Sequence, residues 1–161
     1  MVFSKSFGYA VRGVLYIAIM QNEKRFVQAE EIGEQLAVPR HFMSKILKSL
    51  VKYGIISSVK GPTGGFTITD DTLRTPLMKI FQKTEGPETF TSCVLRMKKC
   101  NSANPCPMHT QMDEIRRKLD FVLMNTTIGD LLKEDKVGFI KSIATYAGIN
   151  SNSELNQTVE N

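Results

Sequence analysis

Residues 29–69 constrain the fold more tightly than any other stretch, because two short amphipathic helix patterns and a glycine-rich hairpin pattern follow one another almost without a gap. From Ala29 to Leu36, Ile32 and Leu36 fall on one side of a helix and Glu30, Glu31 and Glu34 on the other. Ala37-Val38 breaks the pattern. Pro39 then suits the first turn of a second helix, where its missing N–H would have no partner anyway. That helix is expected to reach about Tyr53 and stop at Gly54, with Phe42, Ile46, Leu47 and Leu50 as its inner stripe. Arg40, His41, Ser44, Lys45, Lys48 and Lys52 crowd the opposite side. Two helices joined by a tight turn, the second of them basic, make a helix-turn-helix pattern.

Ile55 to Val59 is strand-like, Lys60-Gly61-Pro62-Thr63-Gly64-Gly65 is a turn, and Phe66 to Thr69 alternates apolar with polar, so the segment reads as a hairpin wing. The expected fold is mainly α with a small β wing: a winged helix-turn-helix domain followed by a long dimerisation helix. Elsewhere, Ser4 or Ser6 can cap a first helix whose apolar positions Tyr9, Ala10, Val14, Ile17 and Ala18 carry it to about Asn22. Thr75-Pro76 is expected to open another helix, closed by Gly86-Pro87. Met112, Ile115, Leu119 and Val122 form a heptad-like seam suited to a homodimer. Thr127 with Asp130 resembles a helix cap, Val137 to Ala147 suggests a last helix, and the tail beyond Gly148 is polar. The division expected is 1–75 for the winged domain, 76–147 for the cysteine loop and dimerisation helices, and 148–161 for a disordered tail.

The net charge of +5 says only that an anionic partner is favoured. Its placement says more. Val38 to Thr69 holds Arg40, Lys45, Lys48, Lys52 and Lys60 and no Asp or Glu. A solvated charged helix face is the bland explanation, but it does not account for an acid-free hairpin beside it. Double-stranded DNA does. Arg40, His41, Ser44 and Lys45 lie in the half of the helix that enters a major groove, where such side chains reach base edges. Lys48 and Lys52 are placed to neutralise phosphates, Lys60 to enter the adjacent minor groove, and Thr63 and Gly64 to let the turn approach the backbone.

A second acid-free stretch, Phe90 to Met112, contains Arg96, Lys98, Lys99 and all three cysteines. No signal peptide or spanning helix is evident, and an odd cysteine count then favours reduced thiols in the cytoplasm over a disulfide framework. Cys93, Cys100 and Cys106 are spaced C-x6-C-x5-C, with His109 three residues beyond. Soft thiolates in threes or fours select zinc or iron–sulfur clusters, and the lack of a close cysteine pair leans toward a cluster. His109 is a candidate fourth ligand, against the alternative of a surface histidine that opens the next helix. His41, on the basic helix, is not expected to bind metal. Buried apolar cysteines are the competing explanation for the trio, but a polar, proline-bearing basic loop makes a poor core. Control by thiol oxidation or zinc, with the same DNA head and no cluster, is the alternative. No nucleophile–base pair, paired carboxylates or phosphate-cradling loop points to an enzyme or a small-molecule substrate, and no membrane partner is expected.

The opening Ser6-Phe7-Gly8-Tyr9-Ala10-Val11-Arg12, the helix-turn-helix, the wing Ser58 to Phe66 and the cysteine trio together resemble the Rrf2 family of bacterial winged-helix regulators, the IscR and NsrR type. The resemblance implies a homodimeric regulator, a repressor, whose long helix crosses to its partner. A cluster in the neighbouring loop would then report redox, iron–sulfur or nitric oxide status. Cys93, Cys100 and Cys106 fall on the family's cysteine positions and His109 on the histidine ligand of IscR-like members, which carry a two-iron cluster. Gly8 stands where some NsrR-like members, with four-iron clusters, supply an aspartate. The two-iron form is therefore expected, with loss on aerobic purification. Departures are the x6 first gap, Lys60 and Thr63 where arginine and glycine are common, and Pro39 at the start of the reading helix.

Overall fold

The computed structural model describes residues 3–134 and Gly138; apart from that glycine, the expected last helix and the polar tail lie outside the described residues. Helix α1 (Lys5–Met20) begins where the Ser4 hydroxyl accepts a hydrogen bond from the Phe7 N–H at 3.3 Å. It buries Phe7, Ala10, Gly13, Val14, Leu15 and Ile17, a face wide enough to sit in the middle of the molecule. Helix α2 (Ala29–Gln35) and helix α3 (Arg40–Lys52) pack closely. A Cβ on Gly33 would stand 2.8 Å from the Val38 carbonyl oxygen, so only glycine lets the turn between them close this far. Ala37 completes that turn in the left-handed region at φ 53°.

Strands β1 (Ser57–Val59) and β2 (Gly65–Thr67) form the wing, antiparallel, with Ser58 opposite Phe66. Helices α4 (Asp70–Leu73) and α5 (Leu77–Glu85) follow, then a 3-10 turn (Pro87–Phe90). The long helix α6 (His109–Asn125) and a short α7 (Ile128–Glu134) complete the described chain. α5 packs on α1, where Phe3, Phe7 and Phe81 meet with ring centroids 4.9 to 5.7 Å apart. One core contains Val14, Ile32, Leu47, Ile80 and Phe81 and extends to Leu123 and Ile128. Full burial of each such side chain contributes roughly 1.5–3 kcal/mol.

Several local expectations need correction. The inner stripe of α3 includes Met43, fully buried, while Phe42 is only half-buried and packs edge-on against Tyr9 at 5.9 Å. Pro39 is the N-cap of α3 and stands one residue outside its first turn. Ile55 and Ile56 are not strand; their burial in the core accounts for their β-branched, apolar character. Thr75 does not cap α5: its hydroxyl donates to the Asp71 carbonyl at 2.9 Å, and Pro76 is the cap. Helix α4 was not anticipated, although Thr69 and Thr72 form a reciprocal cap around Asp70 and Asp71, which the sequence carries openly.

Candidate functional site

The basic side of α3 is open. His41, Lys45, Lys48 and Lys52 are exposed, as are Lys60 and Thr63 on the wing, while Ser44 is half-buried. Among the described residues, Lys45, Lys48, Lys52 and Lys60 form no ion pair. Arg40 differs: its Nη1 lies 2.9 Å from Oε1 of Glu30, a surface pair linking the start of α3 to α2. Gly64 is buried, and a Cβ there would fall 2.1 Å from the Val59 carbonyl oxygen, so the turn closes only around glycine. Its contribution is to close the wing's turn, together with the bond from its N–H to the Gly61 carbonyl at 3.1 Å. Sequence reasoning missed the Glu30 partner of Arg40 and the hydrogen bonds that Gln28 makes to the wing.

The cysteine loop gathers a second site. The three Sγ atoms lie within 4.8 Å of one another, with Cys93 and Cys106 3.7 Å apart. Cys100 Sγ is 3.2 Å from Nδ1 of His109, the first residue of α6, and accepts the Cys106 N–H at 3.4 Å. Local turns achieve this: Asn101 Oδ1 accepts the N–H groups of Ala103 and Asn104, and Asn104 Nδ2 donates to the Lys99 carbonyl. Cys106 is buried, Cys93, Cys100 and His109 are half-buried, and Arg96, Lys98 and Lys99 are exposed around them. The backbone N–H of Met97 holds the Cys93 thiol at a pKa of about 7, outweighing partial burial. At Cys100 the Cys106 amide acts the same way, but burial and the neighbouring thiols Cys106 and Cys93 outweigh it and push the thiol up.

The donor set fits a soft metal centre. Two thiolates on a tetrahedral zinc with bonds of about 2.3 Å would stand about 3.8 Å apart, close to the Cys93–Cys106 separation. Two free thiols in hydrogen-bond contact have the same spacing, and a disulfide does not. A cleft of about 730 Å³ between α5, α6 and the loop gives solvent access to Cys93 and Cys100 past Phe81 and Met112. No helix among the described residues is long and apolar enough to cross a membrane.

The whole of residues 3–134 matches the Rrf2 family model, described as an iron-dependent transcriptional regulator. The chain belongs to the Rrf2 family of transcriptional regulators. A putative HTH-type transcriptional regulator of Aquifex aeolicus is 32% identical over 134 residues, covering 82% of this chain and 92% of its own length. The HTH-type transcriptional regulator IscR of Vibrio campbellii is 24% identical over 129 residues, 80% of this chain and 76% of that one. Among solved structures, CymR (YrzC), the global cysteine regulator of B. subtilis, superposes with a TM-score of 0.67 at 20% identity over 83% of this chain and 98% of its own. That likeness establishes the winged-helix fold. Membership of the family makes this chain a regulator of transcription and not an enzyme.

Proposed function

We propose that this Rrf2 regulator is a cytoplasmic homodimer that represses transcription by binding operator DNA through α3 and the wing, under the control of an iron–sulfur cluster. Cys93, Cys100, Cys106 and His109 would hold the cluster, in its two-iron form. The observation that carries this is the convergence of all four donors: three sulfurs within 4.8 Å and an imidazole nitrogen 3.2 Å from one of them. Residues 1–75 supply the DNA head and 76–147 the loop and dimer helix. Arg40, His41, Ser44 and Lys45 read base edges, Lys48 and Lys52 contact phosphates, Lys60 enters the adjacent minor groove, and Thr63 and Gly64 bring the wing to the backbone. When bound, a cluster supplies redox and ligand states of different charge and shape. The loop's own residues transmit such a difference, because Cys93 follows α5 and its 3-10 turn while His109 begins α6. The regulated equilibrium shifts only as far as the two states bind the cluster forms unequally.

A second reading rests on the 3.7 Å between Cys93 and Cys106 and on the depressed Cys93 pKa: control by thiol oxidation or by zinc in place of a cluster. Anaerobic purification followed by visible absorption and by iron, sulfide and zinc counting separates the two. The cluster reading expects coloured protein with about equal iron and sulfide, a spectrum altered by His109→Ala, and DNA affinity that changes when the cluster is removed. Colourless protein with one zinc per chain, or with no metal and redox-dependent DNA binding, would select the alternative.

A further inference from the structure

The wing is small for the role given to it. Three residues pair on each side of it, and a lone hairpin of that size is marginal in water. A turn that carries Lys60 to DNA must nevertheless keep a fixed place relative to α3, or the entropy of ordering it is lost from every binding event. The support comes from outside the hairpin. The Val27 N–H donates to the Phe66 carbonyl at 2.9 Å and the Phe66 N–H to the Val27 carbonyl at 2.8 Å, laying residue 27 alongside β2. Gly65 permits the approach, since a Cβ there would sit 2.7 Å from the Val27 oxygen.

One residue further on, Gln28 reaches across the turn. Its Nε2 donates to the carbonyl of Pro62 at 3.2 Å and to that of Gly64 at 3.0 Å. Both partners can only accept, so the amide must face them with its NH2 group, whose two hydrogens match the two oxygens. Gln28 is also the N-cap residue of α2, and its side chain makes no capping bond there. The side chain is committed to the wing, and the connection runs from the turn directly into the first helix of the helix-turn-helix.

We infer that Gln28 is a positioning residue for DNA binding: its amide fixes the wing turn against the start of α2 and so holds Lys60 in register with the recognition helix. In this role Gln28 itself touches no DNA. The inference rests on Lys60 being a DNA contact. Gln28→Met keeps the length of the side chain, adds no charge and removes both donors. The test measures fluorescence anisotropy of a short random-sequence duplex bound by the full chain over a salt series, for wild type, Gln28→Met, Lys60→Ala and the double variant, with thermal unfolding as a check on folding.

Gln28→Met is expected to unfold close to wild type and to bind about three- to tenfold more weakly, no more than Lys60→Ala does, with a salt slope smaller by about 0.9 for the loss of one lysine's charge against the duplex. In the Lys60→Ala background it should cost nothing further, a non-additivity that a merely structural role would not produce. Wild-type binding by Gln28→Met, or a full extra loss in the double variant, overturns the positioning role and leaves the wing contact standing. Wild-type binding by Lys60→Ala removes the wing contact and the inference with it. Should Gln28→Met unfold well below wild type, the four proteins are compared at a temperature where all remain folded, and an equal loss from Gln28→Met in the wild-type and Lys60→Ala backgrounds overturns the inference.

Discussion

Arg40 stands at the start of α3, the proposed recognition helix, with its guanidinium 2.9 Å from Glu30, both side chains at least half exposed. A pair so open to water contributes ~0–1 kcal/mol, and salt weakens it further. Its consequence lies in binding more than in stability, because an arginine that reads a base or a phosphate must first leave the carboxylate. Glu30→Gln is therefore expected to tighten binding to a duplex at low salt by about two- to fivefold, the fold-change that up to ~1 kcal/mol corresponds to. The gain should shrink as salt rises. Equal binding at low salt, measured by anisotropy, would place Arg40 outside the DNA interface. The cysteine residues show the opposite balance: burial and the neighbouring thiols push the Cys100 thiol up, while the Met97 N–H holds the Cys93 thiol down.

Element by element, the features visible beforehand were those with a periodic or local signature. The cap between Thr127 and Asp130 is one: the Thr127 N–H and hydroxyl both donate to Asp130 Oδ2, and the Asp130 N–H donates back to the Thr127 hydroxyl. These bonds from Thr127, aided by Lys133, hold the Asp130 carboxyl at a pKa of about 2, below its ordinary 3.8. A depressed carboxylate stabilises the folded state above its unfolded pKa, and that contribution fades as the pH falls from 3.8 toward 2. Asp130→Asn should thus melt below wild type near neutral pH, with the gap closing across that acid window; a gap that stays constant would show that the charge is not what caps α7. What the sequence hid has a common physical cause. Met43 is buried beside Gly13 of α1 while its neighbour Phe42 stays half-buried against Tyr9, and Ile55-Ile56 is buried without being strand, so packing against other elements decides these positions. Glu30 with Arg40, and Gln28 with the wing, are contacts across elements, and no spacing within one element reveals them. The cysteine spacing pointed to candidate donors, but only folding brings Cys93 and Cys106, thirteen residues apart, into sulfur contact.

At the scale of the whole molecule, α6 is the element least accounted for by the described chain. Its C-terminal end is anchored: Leu123 is buried, the Leu77 N–H donates to the Thr126 carbonyl, and the Ile128 N–H donates to the Thr75 carbonyl. Along the rest, Ile115 and Val122, about two turns apart on the expected seam, stay about half exposed at 47% and 52%. A helix in water gains most of its stability from packing an apolar face, and in the proposed homodimer a second copy of the chain would cover this one. Ile115→Glu combined with Val122→Glu should leave the head folded, because neither side chain belongs to the core, and should shift the protein to monomer by sedimentation. If the dimer is what joins two heads on one operator, affinity for that operator should fall about 10²- to 10⁴-fold, the usual gain from making the second contact intramolecular. A double variant that remains dimeric would move the interface off this face of α6. One that is monomeric yet binds its operator like wild type would mean that a single head suffices, and the loop beside α6 would then have to act on DNA through α5 and α1 instead of through the spacing of two heads.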